Sequence, residues 1–124
     1  VDHLSKSSPG FSNDTNLSDS LPSSESIEVI SEFANFAKEN NVKIYYSFPP
    51  LLDTQFDMDS NVIMKIYKTI EKIEGIVIID SPSDYKLPIK MFYDQKYHLT
   101  KEGRGIRTNT LISKFLKVVS VAKK

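Results

Sequence analysis

The run Ile76-Val77-Ile78-Ile79-Asp80 constrains the fold of this chain more than any other segment. A short, continuous apolar run that ends in a charge is typical of a strand covered on both faces of a parallel sheet. A second segment rich in β-forming residues, 42–48, stops at Pro49-Pro50, because proline cannot donate a hydrogen bond to a neighbouring strand. Each of these strands follows an amphipathic helix, so the order of elements predicts a three-layer α/β/α fold with a short parallel sheet.

Three helices are predicted from apolar side chains that recur at helical spacing. The first covers about 24–40, with Ile27, Ile30, Ala34 and Ala37 on one stripe flanked by Phe33 and Phe36. The second covers 60–74 and ends at Gly75, a residue suited to a left-handed C-cap. The third covers 101–121, and its predicted inward set is Ile112, Phe115, Leu116 and Val119. Between the last strand and the last helix we expect a loop, 81–97, with a short strand at 89–93.

The remaining part of the chain is a serine-rich N-terminal segment. Eight serines fall within residues 1–24, with few large apolar side chains to offset the entropy of ordering. We therefore expect a flexible arm over residues 1–23 and a single α/β domain over residues 24–124. The chain has no cysteine and no apolar run near the roughly 18 residues that span a bilayer, so neither a disulfide framework nor a membrane span is expected.

The charges are unevenly distributed along the chain, although the formal net charge is zero. Residues 1–62 carry ten acidic and three basic side chains, and residues 63–124 carry six and thirteen. The two halves could neutralise each other within one domain, or the basic half could attract an anionic sugar, lipid head group or nucleic acid. No recognition-helix pattern accompanies the basic residues, so no nucleic-acid partner is expected. His3 has only Asp2 beside it, and neither a metal site nor a cofactor is predicted.

The segment 92–103 is the part of the chain with the clearest chemical content. It contains Asp94 and, four residues later, His98, in a loop beyond the last strand and before the last helix. Open α/β sheets place their functional sites at that edge. A carboxylate beside an imidazole fixes its tautomer and raises its basicity, as in acyl transfer. An aspartate and a histidine on one loop are also common as a surface pair with no catalytic role. Gly103 and Gly105 would let the last helix begin close to neighbouring backbone.

The stretch from Phe92 to Thr108 resembles the last block of the SGNH (GDSL-like) hydrolase and acyltransferase superfamily, in the branch related to cell-surface polysaccharide and peptidoglycan O-acyltransferases. The matching residues are Asp94, then His98-Leu99-Thr100, Gly103 and Arg107-Thr108. The strand ending Phe48-Pro49-Pro50-Leu51 also looks like a strand of that family. The resemblance extends over about 24–122 and implies the C-terminal half of a flavodoxin-like SGNH domain.

By this resemblance, His98 is the general base and Asp94 the orienting acid of a Ser-His-Asp triad. The implied substrate is an acyl ester on a glycan or another cell-envelope component, which favours an extracytoplasmic location. Arg104 and Arg107 could hold an anionic substrate, or could be ordinary solvated helix charges. Tyr97 could stack on a sugar, although tyrosines of α/β folds are more often half-buried core residues.

Two features depart from the family pattern. The family's usual spacing is Asp-x-x-His, whereas this chain has Asp-x-x-x-His. The nucleophile block, a strand followed by Gly-Asp-Ser, has no counterpart: the nearest string holds Ser18 and Ser20 without a preceding apolar strand. The expected partner is therefore a missing N-terminal half that supplies the nucleophile, or a second copy of the chain. The alternative is a non-catalytic binding or scaffolding domain that lacks the nucleophile.

Overall fold

A computed structural model describes residues 21–94 and 98–122, with the side chains of 121 and 122 left out. Residues 1–20, which form most of the predicted arm, lie outside the described residues. Within the described residues the fold is a small mixed α/β structure. Its elements in chain order are α1 (Ser24–Glu39), β1 (Ile44–Tyr46), β2 (Leu51–Leu52), α2 (Asp53–Met58), α3 (Ser60–Glu71), β3 (Ile76–Ile78), β4 (Lys86–Leu87) and α4 (Lys101–Ala122).

The ends of the helices follow from local chemistry. The hydroxyl of Ser23 caps α1 by accepting a hydrogen bond from the backbone N–H of Ser26 at 3.1 Å. After α1, Asn41 takes a left-handed conformation with φ of 59°, which asparagine tolerates. Before β3, Gly75 has the positive φ, 91°, that the sequence predicted, but it does not cap the helix, because α3 ends at Glu71 with Lys72 as its C-cap. These residues turn the chain sharply from helix into strand.

The strands form two separate two-stranded sheets, both parallel. In the first, β1 pairs with β3 in the register Ile44 to Ile76, Tyr45 to Val77 and Tyr46 to Ile78. In the second, β2 pairs with β4. The expectation of one short sheet is corrected, because Pro49-Pro50 interrupts hydrogen bonding after β1 and the chain resumes as a strand only at Leu51.

Side chains of β1 and β3 alternate between two environments, as the pleat requires. Tyr46, Ile76 and Ile78 pack with Phe48 and Tyr85 against Ile66, Tyr67 and Ile70 of α3. Ile63 and Ile70 of this helix are buried, and so is Ile73, two residues after the helix ends. Tyr45 points the other way, and its ring meets Phe115 of α4 edge-on with centroids 5.2 Å apart. Helices therefore contact the first sheet from opposite sides.

The predicted inward set of the last helix is wrong for most of its members. Ile112 is 51% exposed, Leu116 59% and Phe115 39%. Besides the ring of Phe115 against Tyr45, polar residues connect α4 to the fold: Lys114 lies 3.4 Å from the Asp84 carboxylate, and Arg107 contacts Tyr85. Helical periodicity locates an apolar stripe, but it does not show whether a neighbour covers that stripe.

A similar correction applies to α1 and to the loop after β3. Ala34 and Ala37 are buried as predicted, whereas Phe33 and Phe36 are 60% and 64% exposed. The short strand predicted at 89–93 is a 3₁₀ turn, Ile89–Met91, closed by a hydrogen bond from the Met91 N–H to the Pro88 carbonyl. Only Phe92 pairs as a strand residue, in an isolated antiparallel bridge with Leu99.

Candidate functional site

The loop that carries Asp94 and His98 is fixed at its base by backbone hydrogen bonds. The Tyr93 N–H donates to the His98 carbonyl at 2.6 Å, and the Thr100 N–H donates to the Met91 carbonyl at 2.8 Å. The bridging residues Phe92 and Leu99 are buried in an apolar cluster with Leu52, Leu87 and Met91. The two ends of the loop are therefore held together by packing, which gives Asp94 and His98 a rigid base.

Asp94 and His98 approach each other as the sequence predicted. His98 Nδ1 lies 2.8 Å from Asp94 Oδ1. A carboxylate can only accept a hydrogen bond, so Nδ1 is the nitrogen that carries the proton. In the neutral imidazole this leaves Nε2 as the free base. The pair is partly in solvent, since the side chains of His98 and Asp94 are 53% and 38% exposed.

Helix α4 begins directly after this loop, and its first turn is closely packed. Thr100 caps it: the Thr100 hydroxyl accepts from the Gly103 N–H at 3.1 Å, and the Thr100 carbonyl accepts from the Arg104 N–H at 2.8 Å. A Cβ on Gly103 would lie 2.5 Å from the Met91 carbonyl oxygen, so only glycine fits there. At Gly105 a Cβ would meet nothing within 4 Å, so the expectation of close backbone approach is wrong for that residue.

The structure separates the two arginines that the sequence placed together as substrate ligands. Arg104 is exposed, and its Nη1 donates to the Leu99 carbonyl at 3.2 Å, which places its guanidinium beside the loop. Arg107 is half-buried and contacts the fold instead, through the Phe48 carbonyl and the Tyr85 ring. Tyr97, the third predicted substrate contact, lies outside the described residues.

No nucleophile joins the pair in the part of the chain that the structure describes. His98 makes its side-chain hydrogen bond with Asp94, and none with a serine or threonine hydroxyl among residues 21–94 and 98–122. The nearest sequence matches to a nucleophile, Ser18 and Ser20, lie outside the described residues. An imidazole oriented by a carboxylate can accept and return a proton, but acyl transfer also needs an attacking group.

Sequence reasoning missed a second polar cluster, at the carboxyl ends of β1 and β3. The Asp80 carboxylate accepts three hydrogen bonds: from the Ser47 hydroxyl at 2.6 Å, the Tyr85 hydroxyl at 2.5 Å and the Phe48 N–H at 3.1 Å. We call these four residues the Asp80 cluster. Asp80 is only 9% exposed and Tyr85 1%. One sequence feature could have indicated the cluster: a polar residue, Ser47 or Asp80, follows each of the two predicted parallel strands. The carboxyl ends of parallel strands meet at one edge of a sheet, so the two residues come together there.

Two tyrosines at the Asp80 cluster, Tyr46 and Tyr85, have raised pKa values. Burial, and then the hydrogen bond that the Tyr85 hydroxyl donates to Asp80, raise the pKa of Tyr85 to about 12. Burial, and then the negative charge of Asp80, also raise the pKa of Tyr46. Both hydroxyls therefore stay protonated at neutral pH, and the Tyr85 hydroxyl acts as a hydrogen-bond donor rather than as a base.

Residues 21–94 and 98–122 carry neither a metal cluster nor a membrane span. Among residues 21–94 and 98–122, no three histidine, aspartate or glutamate side chains converge where they could hold a metal ion. Within that same part of the chain, no helix combines the length and apolar character needed to cross a membrane. No protein-family model, curated protein or solved structure matches this sequence significantly.

Proposed function

We propose that this chain supplies the base and the orienting acid of an SGNH-type acyl-ester hydrolase or O-acyltransferase. The observation that carries the proposal is the 2.8 Å contact between His98 Nδ1 and Asp94 Oδ1, on a rigidly based loop directly before α4. The parallel pairing of β1 with β3, with helices against both faces, is compatible with part of a three-layer, flavodoxin-like SGNH domain.

The proposed chemistry divides between this chain and a serine outside its described residues. His98 Nε2 takes the proton from that serine hydroxyl as its oxygen attacks the acyl carbonyl. The tetrahedral intermediate collapses to an acyl-serine, and the imidazolium returns the proton to the departing alcohol oxygen. Water, or a sugar hydroxyl in the transfer reaction, then attacks the acyl-serine with His98 again acting as base. Asp94 keeps the Nδ1 proton in place and stabilises the imidazolium formed in each half-reaction.

The substrate class rests on the resemblance of the loop and helix to the family. The proposed substrate is an acyl ester of a glycan or another cell-envelope component, at an extracytoplasmic location. Arg104 is the arginine placed to meet an anionic part of such a substrate, because its guanidinium lies beside Leu99, the residue that follows His98. The serine and the oxyanion donors would come from a missing N-terminal half of the domain or from another chain.

An activated acetyl ester such as p-nitrophenyl acetate tests the proposal. We expect the 124-residue chain alone to hydrolyse it no faster than the His98→Ala variant, because a base without a nucleophile accelerates acyl transfer little. When the chain is combined with a polypeptide that carries the Gly-Asp-Ser block, hydrolysis should become His98-dependent by about 10²–10⁴-fold. Asp94→Asn should also lower kcat, whereas Lys101→Ala, an exposed control at the start of α4, should not.

A non-catalytic binding or scaffolding domain is the second candidate function. The observation that favours it is the partial exposure of the His98–Asp94 pair, with no hydroxyl bonded to His98 among the described residues. If the combined polypeptide binds a glycan ester but hydrolyses it equally well with alanine at position 98, this second function replaces the first.

A further inference from the structure

Side chains satisfy both backbone polar groups of Phe48, which lies two residues after β1. The Phe48 N–H donates to Asp80 Oδ1 at 3.1 Å, and the Phe48 carbonyl accepts from Arg107 Nη2 at 3.3 Å. The next two residues, Pro49 and Pro50, have no N–H groups and cannot extend the sheet. Phe48, beyond the paired part of β1, is therefore held by side chains from two other parts of the chain rather than by a neighbouring strand.

Arg107 is the residue that connects this strand end to α4. Its guanidinium carbon lies 5.0 Å from the centre of the Tyr85 ring, and Tyr85 in turn donates to Asp80. A planar guanidinium can lie over a ring and donate to a carbonyl at the same time, which a lysine ammonium does less well. One side chain of α4 thus contacts both Phe48, just after β1, and the 3₁₀ turn Pro82–Tyr85 that follows β3.

The candidate base lies in the loop directly before the same helix. His98 lies two residues before Thr100, which caps α4, and Gly103 packs against the Met91 carbonyl. Because a helix is stiff over two turns, a contact at Arg107 and a contact at Gly103 together fix the direction of its first turns. The placement of His98 relative to the carboxyl ends of the strands follows from that direction.

We propose that Arg107 is a positioning residue, which sets the location of His98 at the carboxyl ends of the strands by holding α4 against Phe48 and Tyr85. This inference rests on the proposed function for its catalytic meaning. It replaces the role predicted from the sequence, in which Arg107 would hold an anionic substrate. Arg104, three residues earlier and exposed, keeps that role.

Nuclear magnetic resonance of the 124-residue chain tests the proposal without requiring activity. In the unsubstituted protein, the guanidinium protons of Arg107 should show contacts to the Tyr85 ring protons; their absence would overturn the proposal at once. In Arg107→Ala and Arg107→Lys, amide exchange at Phe48 should become roughly tenfold faster or more, and the ring signals of His98 should shift. Lys117→Ala removes a positive charge from an exposed site on the same helix and should change neither readout.

These measurements distinguish a positioning role of Arg107 from a merely structural role and from a substrate-binding role. Faster exchange at Phe48 with unchanged His98 signals would show a merely structural contact and overturn the proposal. Weaker binding of inorganic phosphate in Arg107→Ala, with Phe48 exchange and His98 signals unchanged, would restore the substrate-binding role and also overturn it. Failure of the ester-hydrolysis experiment would remove the proposed reaction but not the placement of His98, whereas unchanged His98 signals would remove the placement but not the reaction.

Discussion

Replacing Asp80 with asparagine should destabilise the fold far more than its small change in volume suggests. The carboxylate accepts three hydrogen bonds from Ser47, Phe48 and Tyr85 at a position that is 9% exposed. A hydrogen bond to a charged group contributes about 1.5–3 kcal/mol, and one between neutral groups about 0.5–1.5 kcal/mol. The loss is thus about 1 kcal/mol per bond. Across three bonds we expect Asp80→Asn to lower the free energy of unfolding by about 2–3 kcal/mol.

The direction of each bond explains why asparagine cannot fully replace the carboxylate. The Phe48 N–H can only donate, so the amide oxygen must face it, and the amide NH₂ must then face the two hydroxyls of Ser47 and Tyr85. Those hydroxyls have to reverse and accept. Asp80→Ala removes the acceptor altogether and leaves the buried Phe48 N–H unpaired, at about 1–3 kcal/mol. The Tyr85 hydroxyl then keeps only the Ser47 hydroxyl, 3.3 Å away, as a partner. That loss is a large fraction of the roughly 5–15 kcal/mol by which small domains are stable.

Urea unfolding followed by circular dichroism measures these differences. Asp57→Asn is the matched control, because it removes an equally short contact, 2.6 Å to Lys86, from the surface, where the aspartate side chain is 65% exposed. Exposed ion pairs contribute about 0–1 kcal/mol. If Asp80→Asn changes the free energy of unfolding no more than Asp57→Asn does, the claim that the cluster stabilises the strand ends is refuted.

Three further predictions follow from other contacts. The pKa of Tyr85, about 12 in the folded state against an ordinary value of 10.0, predicts stability that is complete below pH 10 and lost as the pH rises toward 12. In Tyr85→Phe the free energy of unfolding should fall less steeply between pH 10 and pH 12, and the part of the fall that disappears should be about 3 kcal/mol at most. Gly103→Ala should lower the unfolding free energy by about 1–3 kcal/mol, because the added Cβ would meet the Met91 carbonyl at 2.5 Å, whereas Gly105→Ala should raise it by up to about 1 kcal/mol. The exposed stripes of α1 and α4 should make the chain associate in sedimentation experiments, and Leu116→Gln should weaken that association.

Each of these predictions has an outcome that contradicts it. An equally steep alkaline loss of stability in Tyr85→Phe would assign that loss to other groups. Equal effects of alanine at positions 103 and 105 would show that the backbone near Met91 moves to accommodate a Cβ without a loss of unfolding free energy. A monomer whose sedimentation does not change with concentration would remove the association prediction.

Helices α1, α3 and α4 and the two longer strands could be predicted from the sequence because each has a local signal, whereas the six-residue helix α2 was not predicted. Helix α1 begins at Ser24 after a serine cap, and β3 follows Gly75 with its positive φ. The pair of Leu51 and Leu52 carries no such signal, since two leucines after two prolines fit a strand, a turn or a helix start. Their pairing with Lys86 and Leu87 depends on a contact between residues 35 positions apart, which periodicity does not reveal.

The approach of Asp94 and His98 could be predicted for the same reason, since four residues of one loop separate them. The Asp80 cluster could not, because Ser47, Asp80 and Tyr85 are joined by strand pairing and a 3₁₀ turn. Each residue has an ordinary alternative role: a serine before a proline turn, an aspartate after a strand, a tyrosine in a loop. Their common site becomes visible only when β1 and β3 are placed side by side.

The two arginines of α4 show why position on a helix does not by itself assign a role. Arg104 and Arg107 are three residues apart, so they lie on neighbouring parts of one helix surface. Their contacts differ because each guanidinium reaches a different part of the fold. Arg104 reaches back to the Leu99 carbonyl of the preceding loop, which uses one of the five N–H groups that a guanidinium offers and leaves others facing solvent. Arg107 reaches across to the Phe48 carbonyl and the Tyr85 ring. Tyr85 is also bonded to Asp80, so one tyrosine lies between the arginine and the carboxylate. If His98 is the proposed base, a substrate anion near it would meet Arg104, whereas Arg107 would act on His98 only through the helix.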